Sequence, residues 1–137
     1  YLKEFYLGYM TWQENLIFGG GINSFYLNCK INFGLFISHP HNYYLEILSE
    51  LGIIGMFIIS AIFINLLYFF FKIKNNLYTS NEKNVITAFT LLFLIEIFPF
   101  KTTGSFFTTG NSTYIFLLIA VIVGFSNQLI YYKKKQI

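Results

Sequence analysis

From Ile53 to Phe71 the chain runs for nineteen residues without a charge. At a rise of ~1.5 Å per residue such a helix reaches across a hydrocarbon layer about 30 Å thick, so the run predicts a transmembrane helix. Composition points the same way: 55% of residues are hydrophobic, 22% aromatic and 11% charged. Soluble domains carry about 25% charged residues. With 18 Phe and 11 Tyr and no heptad or glycine period, disordered, collagen-like and coiled-coil chains are excluded. The expected fold class is all-α membrane.

Two further apolar runs follow, Val85–Phe100, interrupted by Glu96 and Pro99, and Tyr114–Tyr132, closed by two tyrosines suited to the headgroup layer. Glu96 is tolerated in a span only facing protein or near an interface, and Ser126, Asn127 and Gln128 are expected to face other helices. All nine cations are lysines and all six anions glutamates. The net charge of +3 is too small to suggest nucleic acid. Lys72, Lys74 and Lys83 lie between the first two runs and Lys133–Lys135 follow the third, whereas Lys101 alone lies between the second and third. By the positive-inside rule the first connection and the tail are cytoplasmic. Residues 1–52 and the Lys101–Thr113 loop then share the opposite compartment. The expected organisation is an external region, 1–52, and a three-helix membrane region, 53–137. The chain begins at Tyr1 without an initiator Met or signal peptide, which predicts a piece of something longer.

Within residues 1–52, polar and turn residues recur too often for a span. Leu2–Phe18 fits an amphipathic surface helix ended by Gly19. Apolar residues at helical spacing over Tyr43–Leu51, with Glu46 and Glu50 between them, predict a second helix. Gly52 is then a helix stop or a close-packing point. Gly19–Gly21 reads as a turn or, alternatively, a phosphate cradle. Trp12 reads as an interface anchor or a sugar-stacking platform. Cys29, the one cysteine, is a free thiol that leaves the redox compartment undecided.

Both histidines fall in His39-Pro40-His41-Asn42. From the residues alone, three readings stand. The pair shapes a turn with Pro40 and Asn42; it binds metal, with Glu46, Glu50 or Cys29 at no recognised ligand spacing; or it supplies a general base. Glu46 and Glu50, four apart, share a helix face, which is solvated unless Glu46 orients an imidazole or a substrate hydroxyl.

His41-Asn42, nine residues, Gly52, two residues, Gly55 resembles the signature loop of the O-antigen ligase and O-antigen polymerase family, bacterial polytopic membrane glycosyltransferases with a GT-C-like fold. Two flanks are similar as well: Thr11-Trp12 with Ile17-Phe18-Gly19-Gly20-Gly21 before the loop, and Pro99 with Gly104-Ser105-Phe106-Phe107 after the next span. The chain departs in lacking any arginine, and Met56-Phe57 follow the second glycine where some ligases have Thr-His. Members have about a dozen spans, so the resemblance is to their C-terminal part.

What the resemblance implies is transfer of a glycan from an undecaprenyl-diphosphate carrier to an acceptor hydroxyl, lipid A core or similar, on the periplasmic face of the bacterial inner membrane, without cofactor, metal or nucleic acid. His41 would be the catalytic base, with His39, Asn42 and Glu46 in support and Gly52 and Gly55 as motif glycines. The donor diphosphate would fall to Lys30 or Lys101, with Lys3 also on that side. Alternatives are a repeat-unit polymerase, or a non-catalytic membrane scaffold or glycan-export protein.

Overall fold

The computed structural model describes residues 2–74, 80–102 and 104–135, apart from the side chains at 73, 74, 80, 129, 130 and 132–135. The regular structure among the described residues is helical: α1 (Leu2–Glu14), α2 (Ser24–Phe33), α3 (Tyr43–Lys74), α4 (Ser80–Glu96) and α5 (Thr109–Lys135). They form two compact units, Tyr1–Ser60 with Phe98–Ser112, and Ala61–Ile97 with Thr113–Ile137.

In the first unit α1 ends at Glu14, four residues short of the expected Phe18. The Asn15 amide bonds the Trp12 carbonyl at 3.0 Å and the Trp12 indole N–H donates to the Leu16 carbonyl at 3.1 Å, so the last turn tightens and the chain leaves the helix. A further helix, α2, lies where only a loop was expected. Asn23 enters it in the left-handed conformation, φ 68°, and Gly34 ends it at φ 64°, with the Leu35 amide bonded back to the Cys29 carbonyl at 2.9 Å. Leu7, Phe25 and Cys29 make the small core under these helices, with Leu35 and Ile37 packed against it. Glu14 ties them at the rim, accepting from the side-chain amides of Asn28 at 2.7 Å and Asn32 at 3.2 Å. Gly8 lets α1 approach closely: a Cβ there would stand 2.9 Å from that of Pro40.

The second unit contains the remainder of α3, α4 and α5. The rings of Phe63 and Phe93 meet edge to face at 5.3 Å, and Phe70 and Ile86 form a core with Phe69 and Phe125. Polar side chains in these helices return to their own backbone: Asn65 donates to the Ala61 carbonyl and Thr90 to the Ile86 carbonyl. Ser126 is fully buried, whereas Asn127 and Gln128 are exposed, so only the first faces neighbouring residues as expected. Helix α4 stops at Glu96, before the expected Phe100, because the position preceding Pro99 is driven out of helical conformation.

Among the described residues two helices, Tyr43–Lys72 and Thr109–Gln128, are long and apolar enough to cross a membrane. Only 17% and 22% of their most apolar windows are buried inside the protein. A core helix of a soluble protein would be mostly covered; these present Phe57, Ile58, Ile64, Phe116 and Leu117 outward. Helix α4 has 17 residues. Residues 75–79, in the connection expected to be cytoplasmic, and the side chains of Lys133–Lys135 lie outside the described residues.

Candidate functional site

After α2 the chain runs without regular structure from Gly34 to Pro40 and turns sharply into α3. Pro40 is buried under α1, and His41 follows in the left-handed conformation, φ 54°, which histidine adopts more readily than most residues. The turn brings the two imidazoles together, ring centres 4.3 Å apart and planes inclined by 61°. Both rings are half-buried. Ser38 Oγ lies 2.9 Å from His39 Nδ1. Partial burial, and secondarily the neighbouring His41, push the His39 imidazole below the usual histidine range, which favours its neutral form. Glu4 of α1 lies within electrostatic reach of His41.

Asn42 is the N-cap of α3. Its Oδ1 accepts from the backbone amides of Tyr44 at 3.0 Å and Leu45 at 3.1 Å, while its Nδ2 donates to the Pro99 carbonyl at 2.7 Å. One turn on, Glu46 is only 2% exposed, which corrects the expectation of a solvated face. Its carboxylate orients no imidazole; it accepts from the Ser105 hydroxyl and the Phe106 amide, and the Tyr43 and Phe106 rings stack edge to face at 5.5 Å. The 98–106 turn is thus fastened to the first helical turn after the histidines. Lys101 belongs to that turn and is half-buried.

Glu50, also expected to be solvated, is 3% exposed. It sits where α3 is broken. Gly52 has φ 66° and ψ −166°, so the helical bonds that Ile53 and Ile54 would make to Ser49 and Glu50 are not formed. Residues 16–21 replace them. Ile53 donates to the Leu16 carbonyl at 3.0 Å and Ile54 to the Ile17 carbonyl at 3.2 Å; in return the Gly20 and Gly21 amides donate to the carbonyls of Ser49 and Glu50, both at 2.9 Å. Gly19 and Gly52 pass so closely that a Cβ on either would collide with the other segment's backbone, and one at Gly55 would collide with the Leu51 side chain. Gly19, Gly20 and Gly21 form a splice into a broken helix. The Gly20 and Gly21 amides are spent on that helix and the Gly19 amide on the Asn15 carbonyl at 2.9 Å, so they cradle no phosphate, and Trp12 spends its indole N–H on the same loop.

Of the expected site residues, His39, His41, Asn42, Glu46 and the turn of Lys101 come together. Lys30 instead places its ammonium over an aromatic ring, 5.8 Å from the centre of Phe36. Lys3 is exposed on α1. Cys29 is a free, buried thiol, and burial raises its pKa. Among the described residues no group of three or more His, Cys, Asp or Glu side chains could hold a metal ion. Sequence reasoning missed the part α1 plays. Leu7, Gly8 and Thr11 are its buried residues, and with Glu4 they make a stripe at helical spacing that could have been read. No protein-family model matches the chain, nor does any curated protein or solved structure.

Proposed function

We propose that this chain is the C-terminal part of an O-antigen ligase-like membrane glycosyltransferase, with α4 as a third crossing and the His39–Asn42 turn on the periplasmic side of a bacterial inner membrane. One observation carries the reading: a half-buried imidazole pair at the head of an apolar helix, fastened through Asn42 and Glu46 to a turn that bears a cation. An acceptor hydroxyl is a weak nucleophile, and a neutral imidazole takes its proton as the new bond forms. In this scheme His41 is the base. The acceptor oxygen bonds to the anomeric carbon, that carbon's bond to the carrier's diphosphate oxygen breaks, and the proton rests on the His41 imidazole. The electron pair leaves with the undecaprenyl diphosphate, whose charge favours a nearby cation, here Lys101. His39 supports the turn and its neighbour's ring. A lipid-linked donor suits a site at a membrane surface, and this chain supplies the base without the whole donor site.

The test is His41→Ala in the full-length protein, read as glycan ladders on a gel at equal membrane level. Loss of a general base costs ~10²–10⁴ in rate, so the ladders should vanish, with His39→Ala less damaging. Normal ladders from His41→Ala would overturn the reading and favour a scaffold. Ladders that lengthen repeat units on the carrier, and never reach a lipid acceptor, would assign the polymerase.

A further inference from the structure

We propose that the Leu16–Phe18 loop is a lipid-immersed wedge, its Ile17 and Phe18 side chains seated in the bilayer edge beside the first turn of the α3 span. The inference rests on α3 crossing a membrane and says nothing about catalysis. Ile53–Phe71 is nineteen residues, about 28 Å of helix against ~30 Å of hydrocarbon, so when the run crosses the layer Ile53 lies near the hydrocarbon boundary. The loop is fixed at that level. Its Leu16 and Ile17 carbonyls bind the amides of Ile53 and Ile54 at 3.0 and 3.2 Å, so Ile17 and Phe18 cannot stand far out in water while the span is in place.

Two further observations identify lipid as the occupant. Irregular backbone enters an apolar layer only when its polar groups are satisfied within the protein. Here five of the loop's backbone groups, the Leu16 and Ile17 carbonyls and the amides of Gly19, Gly20 and Gly21, are hydrogen-bonded internally, which lowers the cost of holding the loop at the edge of that layer. The side chains, in contrast, point away from the protein: Ile17 is 57% exposed and Phe18 75%, as exposed as Phe57 at 73% within the span itself. The apolar surface of the loop therefore continues the lipid-facing surface of the span, through Ile53 and Ile54, without a polar break.

Depth measurement by spin labels tests this in the full chain, reconstituted in phosphatidylethanolamine–phosphatidylglycerol vesicles. Cys29 is fully buried, so labels at Phe18→Cys, Ile17→Cys, Phe57→Cys and Asn81→Cys react selectively; each replaces an exposed side chain. The expected result is that labels at 17 and 18 collide readily with dissolved oxygen and poorly with a water-soluble nickel complex, like the label at 57 and unlike that at 81. Nickel access at 17 and 18 with lipid protection at 57 would overturn the wedge and leave the span intact. Shielding of 17 and 18 from both reagents would mean that protein covers them, which also overturns it. Nickel access at 57 would remove the membrane reading and the wedge together.

Discussion

The Pro99 carbonyl accepts a 2.7 Å hydrogen bond from the side-chain amide of Asn42, across 57 residues of sequence. The same side chain caps α3 through its oxygen. One residue thus sets both where the helix begins and where the 98–106 turn is held, immediately beside His41. Separating the two tasks is simple. Asn42→Ser keeps a capping oxygen and loses the amide, so it should cost about 1 kcal/mol through the lost bond. Asn42→Ala loses the cap as well and should cost about 1 kcal/mol more. Chemical unfolding in detergent measures both; an Asn42→Ser variant as stable as the wild type would mean that the bond to Pro99 contributes nothing, and equal losses in the two variants would mean that the cap contributes nothing.

Glu46→Gln should loosen the 98–106 turn. A carboxylate accepts from the Ser105 hydroxyl and the Phe106 amide together, whereas a Gln side chain offers one acceptor oxygen and sets an NH₂ against the other donor. Amide hydrogen exchange at Phe106 should accelerate in Glu46→Gln, and less so in Ser105→Ala, which leaves the Phe106 bond intact. Unchanged exchange at Phe106 would refute the fastening.

The glycines rank by what surrounds them. Gly19→Ala and Gly52→Ala combine a positive φ with a collision against backbone, and each should displace the 16–21 loop and reduce the folded yield severely. Gly21 also has a positive φ, 92°, but a Cβ there meets nothing within 4 Å, so Gly21→Ala should cost only the backbone strain, about 1–2 kcal/mol. Yield and melting temperature in detergent decide it; a Gly21→Ala as damaging as Gly52→Ala would contradict the splice.

His39 gives the fold a pH dependence of known sign. Its pKa is lowered from the ordinary 6.5 by burial first and His41 second, so below that value the unfolded chain binds a proton that the folded chain resists. Stability from this group is fully present above about pH 6.5 and declines as pH falls towards the lowered folded value. Melting curves between pH 7.5 and 5 should therefore drop more steeply, on the order of the titration of one group, for the wild type than for His39→Gln. Parallel curves would remove the burial effect.

Lys101 separates snorkelling from ligand contact. Lysine binds phosphate as a point charge, and arginine preserves that charge while changing its geometry. Under the proposed function, Lys101→Met should weaken binding of the lipid-diphosphate donor to the full-length protein, and Lys101→Arg should retain part of it. Equal affinity in all three would assign diphosphate binding to other residues.

What could be read from the sequence follows the range over which each signal acts. The charge-free run after Gly52 and the turn at His39–Asn42 are local, and both are where they were expected. The broken helix was only half legible: Gly52 marked a stop or a close approach, and the structure makes it both. Glu46 and Glu50 share a face by spacing alone, but which way that face points depends on Ser105, Phe106 and the 16–21 loop, all distant in sequence. Helix α2 escaped notice because its polar residues, Asn28 and Asn32, look like loop chemistry until Glu14 is placed against them. The pairing of His41 with His39 was legible from their spacing; the left-handed backbone of His41 was not, since no glycine announces it.

The exchange of partners at Gly52 also has a biosynthetic side. A membrane helix with an unbroken ladder can leave the translocation channel as a self-sufficient cylinder. Under the membrane reading α3 is not such a cylinder, because the amides of Ile53 and Ile54 take their acceptors from a loop made earlier in translation. The first turn of the helix is therefore finished only when that loop meets it. Under that reading, membrane entry and the docking of the N-terminal segment are coupled, so a defect in the loop would surface as a defect of insertion.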